Sequence, residues 1–242
     1  MVLQPLWLLG LAAAAVGFTL HTLALNLGQL AVVQPALVSG LIFALPIAAL
    51  LEKRRVRAAH LGWSLTVVGG LALFLGLARA TVGSPTAREG VLAAAAGLVT
   101  ALAAGSYLVG VRWRQHRPVL WAFAGGAGYG VVAALMKQDV GLLDVGVHQL
   151  ITSWAFYALL LVGPASVAVN QAAFNAGPLV SSLPMLTIAN PVVAIALGAV
   201  AFGERIASGP LPLAGQVLGF AVMAVGVVAM AAPALQPRDE ES

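Results

Sequence analysis

The feature that most constrains this chain is a series of long apolar runs separated by short polar loops. A bilayer crossing needs roughly 20 apolar residues, and a backbone in lipid must satisfy its own hydrogen bonds. The runs lack the alternating pattern of a barrel strand, so they predict helices. The sequence thus predicts an all-α, polytopic membrane protein with about eight transmembrane helices. The runs cover residues 6–25, 32–51, 61–78, 90–111, 119–136, 150–169, 179–202 and 213–231.

The composition agrees with this prediction, because 61% of the 242 residues are apolar and only 8% are charged. A soluble domain is typically about 45–50% apolar and about 25% charged. The runs use nearly the whole chain and leave no room for a separate catalytic domain. We expect residues 1–235 to form one integral membrane domain, followed by a disordered cytoplasmic tail at residues 236–242.

Several classes of function are excluded at this point. Cysteine is absent, which excludes thiolate metal sites and cysteine nucleophiles. The chain has no HExxH or GxSxG pattern and no pair of carboxylates within its apolar runs, so we expect neither an enzyme nor a metal or other cofactor. Its basic residues lie in short loops, which argues against nucleic acid. The expected partners are the lipid bilayer and a small solute or cation, and small-residue faces such as 215–219 permit a homodimer.

The basic residues also predict the orientation, because arginine and lysine concentrate in cytoplasmic loops. Placing the richest loops and the tail inside leaves only Arg79, Arg88, Lys137 and Arg205 outside. Both termini of this multi-pass protein then lie in the cytoplasm, and the membrane is the plasma or inner membrane of the cell. The residues placed inside are Lys53, Arg54, Arg55, Arg57, Arg112, Arg114, Arg117 and Arg238.

An internal repeat is the most informative pattern. Six residues recur with the same spacing in two parts of the chain. In each copy a long apolar run follows these residues and ends in an acid and a base, first Glu52 and Lys53, then Glu204 and Arg205. An odd number of predicted crossings separates the copies, so they face opposite ways. Inverted repeats are typical of secondary transporters, with the solute site between the halves. The residues Ala24, Asn26, Gly28, Leu30, Pro35 and Leu37 recur with identical spacing as Ala173, Asn175, Gly177, Leu179, Pro184 and Leu186.

These two copies resemble the EamA-like repeats of the drug/metabolite transporter (DMT) superfamily, in which a proline-containing start leads to a glutamate-plus-base end. Within that superfamily the chain is most similar to the NIPA-type branch, which is named for magnesium transport. Magnesium needs hard oxygen ligands. Since no carboxylate lies near the middle of any run, the hypothesis of magnesium transport is weakened. The features of the NIPA-type likeness are Gly10, Gly17, the helix at 126–137 ending in lysine, Asn170, Gln171 and Asn175.

The resemblance implies two four-helix repeats joined by a linker helix, here at residues 90–111. The second repeat would cover residues 119–231. The first repeat, at residues 6–78, supplies only three helices and lacks the counterpart of 119–136. A start codon assigned downstream and a naturally shortened protein both account for this difference.

Polar side chains inside the runs are candidates for a solute pathway, because polar groups in hydrocarbon face a cavity or another helix. The alternative is that amides and hydroxyls only join helix pairs. His21 either takes up a proton or pairs helices as a neutral group. Lys137 either meets an anionic solute or extends to the interface. The candidate pathway residues are His21, Asn26, Gln34, Lys137, Asn170, Gln171, Asn175 and Asn190.

Two further groups have simple structural interpretations. Glu52 with Lys53 and Glu204 with Arg205 are interpreted as interfacial ion pairs at the repeat ends, and proton or cation sites are the alternative. The glycine-rich run at 125–130 follows no strand, so we interpret it as a helix-packing surface and not as a phosphate loop.

The leading hypothesis is a secondary transporter or permease of small solutes that works by alternating access. The alternative is a membrane scaffold or accessory subunit that transports nothing. Recovery in a stoichiometric complex with another protein would favour the scaffold.

Overall fold

The structure, a computed structural model, describes residues 5–38, 58–78, 83–177, 179–205, 207 and 209–231. This part of the chain is helical and contains no β-strand, which confirms the predicted all-α class. A short 3-10 turn at Arg114–His116 precedes α5. The helices are α1 (Pro5–Leu27), α2 (Leu30–Val38), α3 (Ala58–Ala78), α4 (Glu89–Arg112), α5 (Arg117–Leu143), α6 (Val147–Thr152), α7 (Trp154–Asn175), α8 (Leu179–Phe202) and α9 (Pro210–Ala231).

Within the described residues, five helical segments are long and apolar enough to cross a membrane. In α1 and α3 the apolar segments are shorter, Val16–Leu27 and Leu65–Ala78. The predicted span at 32–51 starts in α2 and continues into residues 39–57, which lie outside the described residues. The described residues therefore contain five helices that are compatible with a membrane-embedded protein, and the total of eight crossings stays a prediction. The five segments are Glu89–Arg112, Arg114–Leu143, Trp154–Asn175, Met185–Phe202 and Pro210–Ala229.

Helix α5 lies at the centre, with α1, α4, α7 and α8 packed around it. Nearly every residue of α5 from Ala122 to Gly141 is buried, whereas α4 and α7 expose leucines such as Leu102 and Leu161. Exposed leucines on outer helices are expected where a helix faces lipid. The core of the bundle therefore follows the length of α5.

Glycines on α5 set how closely its neighbours approach. A Cβ at Gly125 would collide with the amide of Asn170, and a Cβ at Gly128 would collide with the hydroxyl of Ser166, both on α7. On another face, Gly126 lies against Leu186 of α8. The successive contacts show that α7 runs antiparallel to α5. The structure thus agrees with the interpretation of residues 125–130 as a helix-packing surface.

A second pair of helices, α3 and α9, packs through glycines in a reciprocal way. A Cβ at Gly70 would lie 2.6 Å from the carbonyl oxygen of Gly219 and 2.6 Å from the backbone nitrogen of Met223. A Cβ at Gly219 would lie 2.7 Å from the carbonyl oxygen of Gly70 and 2.7 Å from the backbone nitrogen of Phe74. The two backbones are therefore in direct contact.

The loop at residues 83–88 covers the C-terminal end of α8. Its Ser84 N–H donates to the carbonyl of Phe202 at 2.9 Å, and its Arg88 N–H donates to the carbonyl of Ala201 at 3.2 Å. The Arg88 guanidinium reaches the carbonyl of Val200 at 3.2 Å. These bonds satisfy carbonyls that a helix end leaves without partners. We call this side of the bundle, where α5 and α8 end and α2 begins, the Lys137 end.

Candidate functional site

The site at the Lys137 end is built around Glu204, which follows the end of α8. Gly203 has a φ of +69°, a left-handed conformation that favours glycine, and it turns the chain back on the helix. As a result the Glu204 N–H donates to the carbonyl of Gly198 at 3.1 Å. The carboxylate lies over Gly198, where a Cβ would stand 2.5 Å from Oε2. Glycine at both positions is thus needed to bury this carboxylate.

Lys137 of α5 forms an ion pair with this carboxylate. Its Nζ lies 2.5 Å from Glu204 Oε1, and both residues are at most 4% exposed. The ammonium also donates to the carbonyl of Gly28 at 2.8 Å and lies 5.3 Å from the centre of the Phe202 ring. Since the pair is buried, removing either partner would leave the other charge uncompensated.

The Glu204 carboxylate also accepts hydrogen bonds from the first turn of α2. The backbone N–H of Leu30 donates to Oε1 at 3.0 Å, and that of Ala31 donates to Oε2 at 3.4 Å. A helix N-terminus has unpartnered N–H groups and a partial positive charge, so a carboxylate is stabilising there. One side chain therefore joins the end of α8, the central helix α5 and the start of α2.

The repeat-end residues take different places. The structure gives Glu204 a partner on another helix, Lys137, and shows Arg205 exposed at the surface. Glu52 and Lys53 lie outside the described residues, as does the predicted tail at 236–242. Lys137 itself is buried against Glu204 and does not extend to the surface of the bundle.

A second group of polar side chains lies deeper in the bundle. Gln34 is 2% exposed, Asn170 3% and Ser182 0%, and Asn190 is partly buried. A buried polar atom without a partner costs about 1–3 kcal/mol, so such atoms are rare in proteins. Within the described residues, the buried polar atoms that lack a hydrogen-bond partner are His21 Nε2, Gln34 Nε2, both amide atoms of Asn170, Ser182 Oγ, Asn190 Oδ1 and both carboxylate oxygens of Asp139.

Helix contacts give the level of these side chains along α5. Asn170 lies beside Gly125, and Asn190 lies beside Gly130. His21 precedes Gly28, the partner of Lys137, by about two turns of α1. At a rise of 1.5 Å per residue, Asn170, Asn190 and His21 therefore lie within ~10 Å of one another along the axis of α5. They fall near the middle of the helix.

Gln34 reaches a similar level from the other direction. Leu30 lies beside Gly198, and α2 runs back along α8 from the Lys137 end. Gln34 is about one turn further along α2, which places it about one turn from the level of Asn190. Polar atoms from α1, α2, α7 and α8 therefore surround the middle of α5.

The other predicted pathway residues do not join this group. Gln171 and Asn175 are exposed on α7, and Asn26 is partly buried near the end of α1. Gln171 follows Asn170 directly in sequence, but a helix turns about 100° per residue, so the two amides point in different directions. Of these two amides, only that of Asn170 faces the glycines of α5.

One residue with buried polar atoms that lack a partner, Asp139, could not be singled out from the pattern of polar residues inside the runs. Asp139 is 6% exposed, and it follows Lys137 and Gln138, which are also buried. Three consecutive polar residues at the end of an apolar run point in three directions, so they are a signal that the helix is surrounded by protein. Gln138 meets the loop at 83–88, where its Oε1 accepts the Ala87 N–H at 2.6 Å.

Comparison with known proteins places the chain in a family. It is 34% identical over 214 residues to Cgl0250/cg0304, an uncharacterized protein of Corynebacterium glutamicum, and the match covers 84% of this chain and 71% of the relative. The chain belongs to the Cgl0250/cg0304 family. No protein-family model and no solved structure matches it. The relative's name assigns no activity, so the function of the Cgl0250/cg0304 family has to be argued from the site.

Proposed function

We propose that this protein is a secondary transporter or permease of small solutes. The observation that carries the proposal is the set of buried polar atoms on α1, α2, α7 and α8 that have no partner among the described residues. Those of His21, Gln34, Asn170 and Asn190 lie near the middle of α5, and solute sites of secondary transporters lie near the bilayer midplane. Each such atom costs folding free energy, and a polar solute would supply the missing hydrogen bonds.

The packing of α3 on α9 supports two inverted halves and alternating access. Gly70 and Gly219 contact each other reciprocally, and they are separated in sequence by as many residues as Asn26 and Asn175. The two glycines are therefore equivalent positions of the repeat, and each contacts the other. A two-fold axis between the repeats produces such a contact between equivalent residues. This agrees with the resemblance to the DMT superfamily, which we retain as part of the proposal.

The basic residues support the proposed orientation. Arg112, Arg114 and Arg117 lie together where α4 ends and α5 begins, and we place this end in the cytoplasm. The Lys137 end, on the opposite side of the bundle, then faces the outside of the plasma or inner membrane. Both termini would be cytoplasmic.

Uptake by proteoliposomes tests the proposal. The purified chain would be offered amino acids, nucleosides, small cations including magnesium, and amphiphilic drugs, with and without a proton gradient. We expect accumulation of at least one solute above empty liposomes. Asn170→Ala should reduce that uptake at least tenfold, because it removes a buried amide, and Gln171→Ala should reduce it less.

Gln115→Ala is the matched control, since this amide is exposed on the 3-10 turn and lies outside the pathway. Its uptake should equal that of the native chain. Equal losses in the Asn170 and Gln115 variants would contradict the proposed site. No uptake of any solute, together with recovery in a stoichiometric complex, would support the scaffold instead.

A further inference from the structure

We propose that the contact of Glu204 with Lys137 and the start of α2 is a latch that closes the buried polar site toward the Lys137 end. This inference rests on the proposed function and adds to it the element that controls access. The latch consists of the Glu204 carboxylate, the Lys137 ammonium, the Gly28 carbonyl and the N–H groups of Leu30 and Ala31.

The first argument is that the latch joins the two predicted halves. Gly28 and Leu30 belong to the first copy of the repeat, whereas Glu204 belongs to the second copy and Lys137 lies on the helix before it. Lys137 donates to both Gly28 and Glu204, and the N–H of Leu30 donates to Glu204. Moving one half away from the other at this end would therefore require these bonds to break.

The second argument is position. Gln34 lies about one turn beyond Ala31 on α2, and its amide nitrogen has no partner among the described residues. Leu30 and Phe202, next to the latch, are 0% and 2% exposed. A solute that approached Gln34 from the Lys137 end would meet the ion pair and these apolar side chains first.

The third argument concerns the chemistry of an ion pair. Buried, each charge needs its partner, because a lone charge in a low dielectric is strongly disfavoured. When the end opens, both charges regain water and no longer need each other. The pair therefore suits two discrete states, one closed and one open, and is unstable in half-open arrangements.

The chain contains no cysteine, which makes access to the site directly measurable. We would introduce Gln34→Cys alone and label it with a membrane-impermeant maleimide from the Lys137 side. The same reporter would then be combined with Glu204→Gln and with Lys137→Met. We expect labelling from that side to be at least fivefold faster in both combinations, because each removes one charge of the latch.

A third variant disturbs the latch without removing either charge. In Gly198→Ala the new methyl group would occupy the space of the Glu204 carboxylate and displace it. We expect faster labelling of Gln34→Cys here as well. The matched control is Gly97→Ala, since a Cβ at Gly97 has no atom within 4 Å, and its labelling should equal that of the reporter alone.

The outcomes separate this inference from the proposed function, because labelling needs no solute. Unchanged labelling in Glu204→Gln, Lys137→Met and Gly198→Ala would overturn the latch, even if the native chain transports. Faster labelling in the latch variants supports it. If the native chain shows no uptake while the variants label faster, the latch is supported and transport is contradicted.

Discussion

At the scale of single residues, Glu204 is bound by groups from several parts of the chain. Its carboxylate accepts hydrogen bonds from Lys137, Leu30 and Ala31. A buried carboxylate is tolerable when such donors surround it. It becomes strongly destabilising as soon as one charged donor is lost. Stability at this site therefore depends on the pair and not on either residue alone.

Lys137→Met tests this dependence. The substitution leaves the Glu204 charge buried without a counter-charge, and breaking a buried pair in this way costs roughly 3–5 kcal/mol. We expect a lower midpoint of thermal unfolding in detergent. The double variant Lys137→Met with Glu204→Gln should recover part of the loss, because no charge then remains. Arg114→Met, at an exposed position, is the control, and equal midpoints for the single and double variants would contradict the account.

Sequence reasoning could single out Lys137 and Glu204 separately, because each lies at the end of an apolar run. It could not pair them, since they are 67 residues apart and their meeting depends on α5 and α8 ending at the same level. Asn170 and Gln171 were equally plausible as pathway residues for a similar reason. In a membrane protein both lipid-facing and buried positions are apolar, so the pattern does not show which face of α7 points inward.

At the scale of helices, small residues decide which surfaces meet. Without a hydrophobic effect between helices in lipid, association depends on close packing, and glycine permits the closest approach. The sequence could predict that residues 125–130 pack against another helix. It could not predict that Gly125 and Gly128 contact α7 whereas Gly126 and Gly130 contact α8, because that depends on the tertiary arrangement.

Adjacent glycines on α3 offer a matched test of this packing. A Cβ at Gly70 would stand 2.6 Å from backbone atoms of α9, which cannot rotate away, whereas a Cβ at Gly69 meets nothing within 4 Å. We expect Gly70→Ala to lower the unfolding midpoint clearly, with a cost of roughly 1–3 kcal/mol for overpacking. Gly69→Ala should leave the midpoint unchanged or raise it slightly, since alanine favours helix. Equal effects would mean that α3 and α9 are not in contact.

At the scale of the whole molecule, the all-α class was predictable because the bilayer permits few alternatives. Apolar runs in a bilayer are expected to form helices, and within the described residues the helices coincide closely with the runs, as in α8 and residues 179–202. The orientation is a prediction of the same kind, since it rests on the arginine and lysine loops alone.

Impermeant labelling of intact cells tests this orientation. His148 is exposed at the Lys137 end and Gln115 is exposed at the opposite end. In the cysteine-free chain, His148→Cys should react with an impermeant maleimide added outside. Gln115→Cys should react only after the membrane is permeabilised. The reverse pattern would show that the protein is inserted the other way round.

The reciprocal contact of Gly70 with Gly219 has a consequence for how the protein is made. Ribosomes release α3 into the membrane long before α9 exists, and helices that pair across such a distance assemble late. Until then the glycine face of α3 must remain in lipid or be held by a chaperone or the insertion machinery. A nascent chain stalled before residue 210 would therefore be a target for membrane proteases. Quality control of this protein should act mainly on the last stage of its synthesis.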